Sequence, residues 1–96
     1  MKYERHEFNV WADAIVARAA VIASTIDPVK LRRVAAECRA AKCYGLADAN
    51  ERMARLVETD PRLIALTEFE VGCNANGNST GVFFARTMRQ EIKRQA

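Results

Sequence analysis

The sequence predicts an all-α fold, a compact four- to five-helix bundle with a long first helix, and three observations carry that expectation. Alanine fills 17 of 96 positions while Gly and Pro together fill six, a composition that favours closely packed helices over a sheet. Two Asp-Pro pairs, Asp27-Pro28 and Asp60-Pro61, each write a helix start, with an aspartate to accept from a free first-turn amide and a proline where no donor is missed. Residues 4–26 run without any Gly or Pro. The chain has the length of one domain, residues 1–96, and such a chain buries only about 60–65% of the surface its unfolded form exposes. A core shared with a second molecule would help it.

Taken in order, residues 4–26 (ERHEFNVWADAIVARAAVIASTI) predict a helix of about six turns that ends before Asp27-Pro28, because a residue preceding proline is steered out of the helical region. The opening "MKYERHEF" also alternates well enough for a short extended arm. The second helix starts near residue 28 and carries Leu31, Val34, Ala35, Cys38 and Ala41 on one side. Gly45 offers a turn, and Leu46, Ala49, Met53 and Leu56 then mark a third helix. Asp48 with Arg52 and Glu51 with Arg55 are i,i+4 pairs, each worth about 0.2–0.5 kcal/mol.

Residues 66–84 admit two readings. Thr67 to Val71 alternate like a strand and "NANGN" suits a hairpin turn, but Asp60-Pro61 begins a helix and an isolated hairpin is marginal; helix plus hinge is the expectation. A last helix begins at Ser79 or Thr80, either of which can cap it, and buries Phe84, Met88 and Ile92, with Lys93 and Arg94 at its negative end. Segment 46–61, closing on "ARLVETDP", resembles the second helix and final proline of a tetratricopeptide repeat. The likeness covers one hairpin, lacks the aromatic positions of the first helix and does not recur at the required period, so it identifies no family.

For function, the chemistry-bearing inventory is thin. The run "VGCNANGNSTGVFF" lacks the preceding strand and the lysine that a phosphate loop requires, and its glycines and asparagines suit a hinge. Cys38, Cys43 and Cys73 with the single histidine, His6, are the soft metal ligands of the chain. Cys38 and Cys43 would lie about 140° apart on a continuous helix, so buried apolar thiols are expected, with no metal and no cofactor. No serine or threonine has a visible base besides His6, and the sequence is read as that of a non-enzyme. An odd cysteine count and the lack of a signal peptide or apolar span point to the cytoplasm and away from a membrane.

Charge and the first helix are more informative. The formal charge is +3, but the positive residues concentrate in 28–43 and 79–96. Arg32, Arg39 and Lys42 fall within about 80° on one helix, and Arg86, Arg89 and Lys93 stack at i+3 and i+4; each row would be eased by an anionic partner, an acidic protein surface or, as the alternative, nucleic acid. No helix-turn-helix pattern and no interleaved aromatics accompany them. On the first helix, Phe8, Trp11, Ile15, Ala19, Ile22 and Ile26 form one apolar stripe. A second stripe, Tyr3, Val10, Ala14, Ala17 and Val21, lies roughly 100–160° around, and two apolar faces imply burial on both sides, either within the domain or between chains. The sequence therefore predicts a homodimer or partner seam on the second stripe. The functional expectation is a regulatory protein that sequesters or inhibits a larger protein such as a transcription regulator; a structural subunit of a larger assembly is a further alternative.

Overall fold

The computed structural model describes residues 5–95, with side chains from residue 7 onward. Five helices follow one another: α1 (Arg5–Thr25), α2 (Pro28–Ala40), α3 (Tyr44–Thr59), α4 (Pro61–Ala75) and α5 (Ser79–Gln95). There is no strand among the described residues, and 66–84 is helix, turn and helix.

Both Asp-Pro signals work as written. Asp27 accepts from the Val29 amide at 2.9 Å, and Asp60 accepts from the Arg62 amide at 3.2 Å, satisfying donors that a helix start leaves free. Asp60 is the whole linker between α3 and α4. The α2–α3 and α4–α5 turns share one closure. Cys43 N–H donates to Cys38 C=O and Lys42 N–H to Arg39 C=O; Asn78 N–H donates to Cys73 C=O and Gly77 N–H to Asn74 C=O. This double closure needs a left-handed residue, supplied by Gly77 (φ 70°) in one turn and by Lys42 (φ 63°) in the other.

Two sequence expectations are corrected here. The turn before α3 is centred on Lys42, and Gly45 lies inside the helix, because the closing hydrogen bonds depend on where α2 runs out. The cap of α5 is Asn78, whose Oδ1 accepts from the Gly81 amide at 3.0 Å; Ser79 is already helical.

The main core is built by α1, α4 and α5. Ile15, Ala19 and Ile22 of α1 meet Ala65 and Leu66 of α4 and Phe84, Ala85 and Ile92 of α5, so the first stripe of α1 is the buried one. Phe8, Trp11, Phe69 and Phe84 close one end of this core, with ring centroids 5.4–5.8 Å apart, within the range of favourable tilted and edge-on contacts. α4 and α5 run antiparallel. Gly81 sits so close to α4 that a Cβ there would collide with Cys73 Sγ.

α2 and α3 form a second antiparallel hairpin whose seam is alanine. Ala35, Ala47 and Ala54 are fully buried, and side chains this short let the helix axes approach closely. Of the residues that mark α3, Leu46, at 60% exposure, and Met53, at 37%, lie outside, because the face that fits against α2 is the one with the smallest residues. Val57 belongs to the main core, with Ile26, Leu31 and Leu56 packed beside it. The molecule measures 52 × 25 × 24 Å with a radius of gyration of 15.4 Å, against about 12.5 Å for a compact chain of this length. The elongation fits a hairpin in which α2 packs chiefly against α3.

Candidate partner-binding surfaces

α1 presents its second stripe to solvent. Val10 is 51% and Val21 46% exposed, and Ala14 and Ala17 between them are exposed as well. Among the described residues no helix buries this side centrally, although Ala14 borders a hollow shared with Ala65, Glu68 and Phe69 of α4. Tyr3, the remaining member of the stripe, lies outside the described residues, and so does the side chain of His6.

The basic rows are placed differently. Arg32 forms two hydrogen bonds with Glu58, and Arg39 reaches both Glu51 and Asp48, the latter at 2.9 Å. The carboxylates they meet thus belong to α3 of the same hairpin, which they clasp along its edge. The hydrogen bonds from Arg39 and Arg32 hold the Glu51 and Glu58 carboxyls below their ordinary pKa. Arg89 donates to Glu70 at 2.8 Å and Arg86 lies 3.7 Å from the same carboxylate. Their like-charge stacking is relieved from within, and Glu70 is depressed chiefly by the Arg89 hydrogen bond. Lys42 projects from the α2–α3 turn. It has no ion-pair partner among the described residues, and neither does Lys93.

A third surface went unnoticed in the sequence. Ala49, Arg52, Met53 and Leu56 of α3 face Ile64, Thr67 and Glu68 of α4 across a hollow of about 370 Å³. It continues past Arg52, Leu56 and Thr67 into a second hollow of about 260 Å³ bounded by Leu63, Arg89 and Lys93. The trough has an apolar floor and a cationic rim. Glu68 at its end is occupied by a bidentate pair with Arg18, at 2.8 and 3.0 Å, and this pair lowers the Glu68 pKa. The available signal was the pair of apolar faces on α3, one of alanines and one of larger residues.

No group of three or more His, Cys, Asp or Glu side chains comes together among the described residues in a way that would hold a metal, and Cys38, Cys43 and Cys73 are free thiols. No described helix is long and apolar enough to cross a membrane. Comparison with protein-family models, with curated proteins and with solved structures found no match.

Proposed function

We propose that this protein is a small non-catalytic regulator that binds and sequesters or inhibits a larger protein, such as a transcription regulator, through its helical surfaces, and that it does so as a homodimer joined along α1. The observation that carries the dimer is the uncovered stripe of Val10, Ala14, Ala17 and Val21. Isolated apolar residues on a surface need no explanation, but a row along one helix face, on a helix whose opposite face is core, suits burial by another chain.

The order of residues supports a second copy as the occupant. Val, Ala, Ala, Val at 10, 14, 17 and 21 reads the same from either end, so two antiparallel copies of α1 set Val10 of one against Val21 of the other and Ala14 against Ala17. That is the self-complementarity of a two-fold interface, and the central alanines permit close approach. The nucleic-acid alternative is less favoured, because Arg32, Arg39, Arg86 and Arg89 are engaged by carboxylates of their own chain and a phosphate track would have to displace those pairs.

Light scattering on a size-exclusion column over a dilution series tests the dimer. Wild type is expected to elute as a dimer and Ala14→Glu as a folded monomer, since the glutamate would place two charges at the centre of the seam. A wild-type monomer at all concentrations, with α1 still folded, would remove the self-association.

A further inference from the structure

We propose that the trough across α3, α4 and α5 seats an acidic amphipathic helix of the target protein, an inference that rests on the reading of this chain as a protein-binding regulator. The floor sets the first requirement. Met53, Leu56, Leu63 and Ile64 line it, and Leu46 extends the same face of α3 at 60% exposure. From Leu46 to Leu56 the strip is about 15 Å long, the span of roughly three helical turns. An apolar helix face with residues at i, i+3, i+4 and i+7 is the occupant that such a strip accepts.

The rim sets the second. Arg52 and Lys93 stand on it without a carboxylate partner among the described residues, and Arg89 stands beside them with Glu70 behind it. The one carboxylate lining the trough, Glu68, is already satisfied by Arg18. Like charges gathered beside a desolvating floor favour an oppositely charged ligand and disfavour a basic one. A nucleic acid answers the rim but leaves the floor uncovered, with no aromatic side chain in the trough to stack on a base. A flat bilayer surface does not reach the floor of a concave groove.

The test uses the full chain and a fluorescein-labelled helical probe peptide of about four turns, with leucines at i, i+3, i+4 and i+7 and glutamates on both flanks. Its counterpart carries lysines in place of the glutamates. Anisotropy is expected to show the acidic peptide binding at least about tenfold more tightly than the basic one, with Met53→Glu abolishing the signal. Arg52→Glu combined with Lys93→Glu should weaken the acidic peptide at least about tenfold; all three positions are exposed, and circular dichroism confirms that the variants fold. Absence of binding at about 100 μM, equal affinity for both peptides, or indifference to the reversal at Arg52 and Lys93 would each overturn the proposal. Ala14→Glu is expected to leave peptide binding unchanged. Loss of the dimer with retained peptide binding, or the converse, separates a failure of the α1 seam from a failure of the trough.

Discussion

The α2–α3 hairpin and the α1–α4–α5 core are both antiparallel helical packings, and they cohere by opposite means. The core buries Ile15, Ile22, Leu66, Phe84 and Ile92, with a four-ring cluster that includes Phe84 closing one end, and large apolar side chains removed from water are the dominant favourable term in folding. The hairpin buries Ala35, Ala47 and Ala54 along its own seam, where each side chain removes little area, and ties its edge with Arg32–Glu58 and Arg39–Glu51. Burial fraction alone would rank the two equally. The amount of apolar surface per buried residue ranks them far apart, and the hairpin is the place where the native state should open first.

The largest test of that ranking is Phe84→Ala. Phe84 touches the other three rings of the cluster, and removing a buried phenylalanine costs about 3–5 kcal/mol, a large part of the about 5–15 kcal/mol that a domain has in total. Native-state hydrogen exchange should show α4 and α5 amides losing protection until they open together with those of α2 and α3. Equal loss in both regions would mean that the protein has one cooperative unit only.

Ala54→Leu probes the other side. With Ala54 fully buried, the added bulk should cost about 1–3 kcal/mol through overpacking and lower exchange protection in α2 and α3 while leaving the core amides unchanged. A neutral result would show that the hairpin seam tolerates repacking and that the alanines are not there for fit.

Acid gives the smallest effect and sharpens the distinction between the two kinds of cohesion. Glu51 and Glu58 are held below the ordinary carboxylate pKa of about 4.3 by Arg39 and Arg32. Their stabilising contribution is therefore complete above that value and is lost as pH falls through the lowered folded values. Glu58→Gln should reduce hairpin protection at pH 7, and the difference should shrink as pH falls below the ordinary carboxylate value and vanish once the lowered folded pKa has been passed. Because these side chains are exposed, added salt should shrink the pH 7 difference in the same direction.

Much of the fold was legible in the residues. Asp27-Pro28 and Asp60-Pro61 fixed two helix starts because a cap and a proline act through their immediate neighbours. The stripe of Phe8, Trp11, Ile15, Ala19 and Ile22 identified the buried side of α1, since large apolar residues at helical spacing leave one choice of face. Gly45 misled because a left-handed turn favours glycine but does not require it, and Lys42 took that conformation where α2 ended. The capping role of Asn78 was missed for a similar reason: Asn78, Ser79 and Thr80 all have suitable side chains, and only the end of α4 determines which one stands just outside α5.

The sites divide along the same line. A second apolar stripe on α1 is a property of the sequence; that it is uncovered is a property of the packing. The basic rows were visible, but a wheel shows only one helix, so it could not reveal that Glu51, Glu58 and Glu70 stand opposite them on the neighbouring helices. The trough was invisible for the converse reason. α3 has two apolar faces, and hydrophobicity assigns the larger residues to the core, whereas the close approach to α2 buried the alanines and turned Leu46, Ala49 and Met53 outward. By itself the sequence determined the two helix starts at Asp27-Pro28 and Asp60-Pro61 and which helix faces are apolar, because those follow from interactions within a few residues along the chain. Which apolar face is buried, and which charges already have partners, only the tertiary structure decided, because both depend on what a distant segment brings within contact distance.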